Sequence, residues 1–216
     1  MRTALSLAAA SIAAGSLVLA GGPAQAAALV QISQGHVDAV DVGYEDGALG
    51  ISIHDESVTP DVERDPADVV LVVKKEAKWT VPSDPAFAFL GIPGSTVWLL
   101  PEIQDENLLW PGLSAEEIES GVFVDDAVQL TATKFSGPDG MSVFTNGPSG
   151  EPVIIADSED SLPDVHALPT GFHVHGNWAF EKAGTYKVTV VASGRLASSN
   201  QKITSTPAVI TFKVKN

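Results

Sequence analysis

Four of the five histidines in this 216-residue chain fall in period-two pairs: His36-Val-Asp38, His54-Asp-Glu56 and His173-Val-His175. In a β-strand alternate side chains share a face, so each pair presents two donors together, with His173 and His175 roughly 6–7 Å apart along the chain. Neutral imidazoles at that spacing suit a shared divalent cation. Three histidines with a water or a carboxylate are a zinc arrangement, carboxylate participation extends the choice to manganese or iron, and copper is a further candidate. The candidate ligands are therefore His36, His54, His173 and His175. Asp38 and Glu56 are additional candidates, and Asn177 could orient an imidazole through its amide or satisfy backbone groups in a tight bend. The plainer alternative is that these histidines are scattered polar groups on a solvated face. His166 reads as an ordinary loop residue.

Strands must position these groups, and strand patterns dominate the chain. Residues 31–41, 48–54, 69–75, 96–100, 127–133, 142–145, 153–155, 173–180, 185–192 and 208–214 alternate or run apolar. Turn signals separate them, among them Glu45-Asp-Gly47, Gly137-Pro-Asp-Gly140, Asn146-Gly-Pro-Ser-Gly150 and Lys182-Ala-Gly184. Spacing of this kind predicts an all-β chain, an antiparallel immunoglobulin-like β-sandwich. A hairpin closed at Gly47 would set His36 and His54 on neighbouring strands. Ser114-Ala-Glu-Glu117 matches a capping box, which predicts one short helix ended by Gly121. Residues 60–66 and 157–169 read as exposed loops. The second of these carries Asp157, Glu159, Asp160 and Asp164 but lacks the ligand order of a calcium loop. Trp98, Trp110, Trp178, Phe180 and Tyr186 read as packing residues.

The N-terminus has the pattern of a secretion signal over residues 1–26: Met1-Arg2, an apolar run from Ala4 to Ala20, and Ala24-Gln-Ala26 as the cleavage motif. Residues 27–216 are then expected to form a single domain. The chain has no cysteine, which removes thiol catalysis, blue-copper ligation and disulfides. A formal net charge of −15 argues against nucleic acid and against anionic membranes as partners. No H-E-x-x-H, nucleophile elbow, phosphate loop or dinucleotide fingerprint is present, so the expectation is a protein without enzymatic activity.

One further pattern spans nearly the whole mature chain. His173-Val-His175, Asn177-Trp-Ala-Phe180 and Gly184-x-Tyr186 stand with Gly35-His-Val-Asp38, Ile51-Ser-Ile-His-Asp-Glu56, Phe87-Ala-Phe-Leu-Gly91, Val97-Trp-Leu-Leu-Pro101 and Leu109-Trp-Pro-Gly-Leu113. Together they resemble the actinobacterial surface-anchored protein domain, also called the choice-of-anchor M domain. Members of that family occur in exported proteins, and some are fused to or encoded near the substrate-binding part of a metal-type ABC transporter. The resemblance implies a receptor or relay at the cell surface and carries the family's histidines onto His36, His54, His173 and His175. A wall-sorting signal is missing from this chain, so retention would run through partners: the substrate-binding protein of an ABC transporter, or a wall-anchored homologue. The combined expectation is a secreted metal-binding domain that holds zinc on strand histidines and hands it to an uptake system. Its affinity should fall as pH drops through the histidine range near about 6.5. The alternatives are a structural or adhesive module without metal and, last, a metallohydrolase with Glu56 or Asp38 as base.

Overall fold

Alternating and apolar runs give strands spread along residues 28–216, the part of the chain that the computed structural model describes. The expected signal segment, residues 1–26, lies outside the described residues. In chain order the strands are β1 (Val30–Ile32), β2 (Gly35–Glu45), β3 (Ala48–Asp55), β4 (Val62–Arg64), β5 (Val69–Val73), β6 (Lys78–Thr80), β7 (Thr96–Leu100), β8 (Leu109–Ser114) and β9 (Ala127–Ser136). They continue with β10 (Met141–Asn146), β11 (Pro152–Asp157), β12 (Asp164–Pro169), β13 (His173–His175), β14 (Asn177–Phe180), β15 (Gly184–Arg195), β16 (Lys202–Thr204) and β17 (Ala208–Val214).

The fold is all-β and sandwich-like. Its seven-stranded sheet runs β1-β5-β17-β15-β9-β12, with β16 beside β15. Two five-stranded sheets run β11-β10-β14-β7-β6 and β13-β8-β2-β3-β4. Most pairings are antiparallel, and β1–β5, β5–β17 and β2–β8 are parallel. One cluster of buried side chains draws on all three sheets: Val37 and Ile53, Leu71 and Phe212, Trp178 and Phe180 are among its members. Burying such residues supplies the main favourable term in a chain with no disulfide. Among the described residues no helix is long and apolar enough to cross a membrane.

Local sequence explains the hairpin that carries the first two histidine pairs. Asp46 and Gly47 both adopt positive φ, 49° and 82°, the requirement of a two-residue type I′ turn between twisted strands. β2 and β3 pair antiparallel across it, with Asp38 opposite His54. At the start of β15, Tyr186 is fully buried and its hydroxyl ties the preceding turn. It donates to the Lys182 carbonyl (2.8 Å) and accepts from the Lys182 N–H (3.0 Å), the tyrosine corner of immunoglobulin-like sandwiches.

Four expectations change. No α-helix follows Ser114, and the helical residues are short 3-10 segments elsewhere, such as Pro85–Leu90. Ser114 ends β8, and its Oγ accepts from Glu116 N (3.3 Å) as a cap would. The next residue is claimed by strand-like bonds instead: Ala115 N donates to Phe172 O, and Ala115 O accepts from Gly171 N. The Ala115 carbonyl also accepts from Ile118 N (3.2 Å), so one turn forms, while the bonds to the distant segment hold the chain extended at its start. Residues 60–66 contain β4, and residues 157–169 contain β12, so His166 sits on a strand, half-buried, and not in a loop. Residues 173–180 break at Gly176, where the chain leaves one five-stranded sheet for the other. A Cβ there would stand 3.1 Å from the Phe144 carbonyl.

Replacing Tyr186 by Phe removes both corner bonds while keeping the ring. The expected loss is about 1 kcal/mol, seen as a lower urea midpoint at unchanged slope.

Candidate metal centre

The sheet β13-β8-β2-β3-β4 brings three imidazoles together. β13 pairs antiparallel with β8, placing His173 opposite Ser114 and His175 opposite Gly112. β8 pairs parallel with β2, placing Gly112 opposite Asp38 as well. The His36, His173 and His175 ring centroids form a near-equilateral triangle with sides of 4.9, 5.4 and 5.5 Å. A tetrahedral ion with Zn–N bonds of about 2.0–2.1 Å holds imidazole centroids about 5 Å apart. One ligand atom from each ring lies within 4.8 Å of the other two.

Polar atoms without partners point to the same place. His36 Nε2, His175 Nε2 and Asp38 Oδ1 are buried and have no hydrogen-bond partner. Buried polar atoms are nearly always paired, because leaving one unpaired costs about 1–3 kcal/mol. Here two imidazole nitrogens and one carboxylate oxygen are left over within a single cluster. Asp38 Oδ1 stands 3.6 Å from His36 Nε2, close enough for charge to act but too far for a hydrogen bond.

The groups behind the imidazoles fix their orientation. His175 Nδ1 lies 3.2 Å from the Pro111 carbonyl, so Nδ1–H donates there and Nε2 keeps its lone pair. Trp110 lies flat against His175, with centroids 3.5 Å apart and planes 4° from parallel. Its indole Nε1 donates to the Glu102 carbonyl (2.9 Å). His36 Nδ1 is 3.0 Å from Glu56 Oε1, and His173 Nδ1 contacts Glu116. Each ring thus has one nitrogen engaged outward by a carboxylate or a carbonyl, the pattern that raises the basicity of a metal-binding imidazole.

Electrostatics separate the two half-buried rings, His36 and His175. Asp38 first, and Glu56 after it, raise His36 to about 9 against the opposing effect of burial. Burial, with His36 nearby, lowers His175 to about 4. At neutral pH the ion-free centre therefore holds a proton on His36 and leaves His175 neutral. That proton is the charge a divalent cation would replace.

His54 stands apart from the triad. Its Nδ1 contacts Glu63, and its Nε2 lies 3.3 Å from Asp61 Oδ2 and 3.8 Å from Glu56 Oε1. Glu56 is therefore beside both histidines of the hairpin. Among the described residues no hydrogen bond joins Asn177 to an imidazole. It is buried, accepts from the Glu102 N–H (3.0 Å), and lies 3.4 Å from Glu102 Oε2 through its own NH₂. A chain of contacts links it to His175 through the Glu102 backbone and Trp110. The acidic stretch caps itself: Asp157 Oδ1 accepts from Glu159 N, and Asp164 Oδ2 accepts from Asp157 N. A separate acidic group, Asp139 with Glu159 and Glu181, lies outside the histidine sheet.

Sequence reasoning missed three contributors. Trp110 reads as packing, although Trp110-Pro111-Gly112 places a flat ring, a carbonyl and a residue without side chain next to one another. Asp41 lies three positions from Asp38, which strict alternation puts on the opposite face. A register shift in β2 between those two residues brings its carboxylate round to His54. Glu63 was hidden in an expected loop. No protein-family model, curated protein or solved structure matches the chain.

Gly112 leaves the room in which the ligands meet. A Cβ there would lie 2.3 Å from Asp38 Oδ1 and 3.3 Å from His175 Cε1. Gly112→Ala should displace both groups and weaken zinc binding by about 10–100-fold in a chelator-competition titration, with the secondary structure unchanged by circular dichroism.

Proposed function

We propose that this protein is a secreted, non-enzymatic receptor or relay for a transition-metal ion, with zinc held by His36, His173 and His175 and handed to an ABC-type uptake system. The observation that carries the metal reading is the convergence of His36 Nε2, His175 Nε2 and Asp38 Oδ1, all buried and all without a partner. Three imidazole nitrogens favour zinc, and Asp38 as a fourth ligand would admit manganese or iron. Copper also binds imidazole well.

Access favours carriage over a permanent structural role. His173 lies on β13, the outermost strand of its sheet, and its side chain is 38% exposed. His36 and Asp38 sit deeper, at 14% and 4%. An ion would thus be held between one buried ligand, one half-buried ligand and one that faces solvent, where a partner could compete for it. Delivery to a transporter rests on the resemblance to the surface-anchored domain family, and export rests on the signal pattern.

Elemental mass spectrometry of protein purified without an affinity tag tests the reading. The parent should carry about one zinc per chain at the triad. A His173→Ala/His175→Ala double variant should lose that equivalent. A parent that is metal-free and fails to take up added zinc, copper or manganese would turn the reading to a structural or adhesive module.

The pH dependence follows from the two shifted histidines. Zinc must displace the proton of His36, whose affinity for it is raised to about 9, whereas His175 is already neutral above about 4. Binding at neutral pH therefore releases a proton from His36, and apparent affinity should rise about tenfold per pH unit from 6.5 upward, levelling near 9. Calorimetry in buffers of different ionisation enthalpy counts the proton. An affinity flat across that range would show that His36 is not a ligand.

A further inference from the structure

The polar strip on the β13-β8-β2-β3-β4 sheet continues past the triad. Beyond Glu56, one residue from each of three neighbouring strands meets in a second group: Asp41 on β2, His54 on β3 and Glu63 on β4. One ligand atom from each lies within 4.8 Å of the other two. His54 faces carboxylates with both nitrogens, Glu63 at Nδ1 and Asp61 and Glu56 at Nε2.

Asp41 is the unusual member. It is 3% exposed, and its partners are hydroxyl groups, Ser52 at 3.4 Å and Ser114. Among the described residues none of Asp41, Glu56, Asp61 and Glu63 pairs with a lysine or arginine. Arg64, next to Glu63, is held instead by Asp55 at 2.8 Å. Hydroxyls do not neutralise a carboxylate that has left water, and the one group beside Asp41 that can carry positive charge, His54, is shared with Glu56, Asp61 and Glu63. A cation bound by Asp41, His54 and Glu63 would remove that imbalance.

We infer that Asp41, His54 and Glu63 form a second divalent-cation site, and that Glu56 passes the ion from it to the imidazole triad. Glu56 Oε1 lies 3.8 Å from His54 Nε2 and 3.0 Å from His36 Nδ1, its side chain is 44% exposed, and a ligand atom of it lies within 4.8 Å of one each on His36 and Asp38. The outer site offers one imidazole and two carboxylates, a harder donor set than three imidazoles, so it binds zinc more weakly and exchanges it faster. An ion arriving there meets its tighter site one carboxylate away. The hand-over rests on reading the triad as a metal site; the outer site does not.

Zinc titration of the metal-stripped full chain separates these claims, with stoichiometry from calorimetry and loading rate from stopped-flow fluorescence. The parent should bind a tight and a weak equivalent. His54→Ala/Glu63→Gln should lose the weak one, keep the tight affinity, and load the triad several-fold more slowly. His173→Ala/His175→Ala should keep the weak one alone. Glu63→Gln by itself preserves the side-chain shape and should weaken the outer equivalent about tenfold, which guards against misfolding of the double variant. Retention of both equivalents by His54→Ala/Glu63→Gln, or a parent whose single equivalent survives it, overturns the outer site. Equal loading rates overturn the hand-over. A parent equivalent removed by the His54 pair but untouched by the His173 pair supports the outer site and overturns the triad reading.

Discussion

The candidate centre depends on one steric condition: β8 must present no side chain where β2 and β13 face each other across it. Gly112 stands opposite Asp38 on one side and His175 on the other, and both of those groups lean over it. The parallel pairing of β8 with β2 and its antiparallel pairing with β13 fix that register. Strands so held leave their side chains little freedom, and this precision is what a coordination site needs. The neighbouring residues extend the same logic. Pro111 gives up an amide donor but offers the carbonyl that holds His175 Nδ1, and Trp110 covers the face of the ring.

Charge is the second constraint. The sheet gathers Asp38, Asp41 and Asp55 below the surface, each 3% exposed or less. Asp55 is answered within the fold, by Arg64 at 2.8 Å and by the Ser57 hydroxyl and N–H. Among the described residues Asp38 is answered by the imidazolium of His36, and Asp41 by hydroxyls and by His54 shared with other carboxylates. Burial of charge is tolerated where it is paired, so these two carboxylates mark where pairing inside the chain stops. In both places the nearest side chain that can share the charge is a histidine, a group that gives up its proton readily to a metal.

The periodic features were legible in the sequence. Alternation put His173 and His175 on one face, and Asp46-Gly47 placed the hairpin that carries His36 and His54 on adjacent strands. What alternation cannot report is where it fails. The register shift in β2 turns Asp41 toward His54, and that shift is set by pairing with both neighbours, not by any local residue type. The capping pattern at Ser114 is locally sound. It loses to Gly171 and Phe172, more than fifty residues away, which take the Ala115 backbone into strand-like bonds. The same contact sets the start of β13, so the helix that failed to form and the histidine pair that was foreseen are two results of one long-range pairing.

That pairing also explains why four histidines of similar pattern divide into unequal environments. His36 and His175 are covered by Trp110, which itself is fixed by Glu102, and Glu102 is fixed by Asn177 across from the neighbouring sheet. Asn177 follows His175 by two residues, yet Gly176 carries the chain from one sheet to the other between them. One short segment therefore supplies two triad imidazoles from β13 and, from β14, the amide that holds their cover in place. His54 has no such cover. It lies among the carboxylates of Glu56, Asp61 and Glu63 at the β3–β4 side of the sheet, nearer to solvent. A single strip of sheet thus grades from an open, carboxylate-rich end around His54 to a more enclosed, imidazole-rich end around His36 and His175.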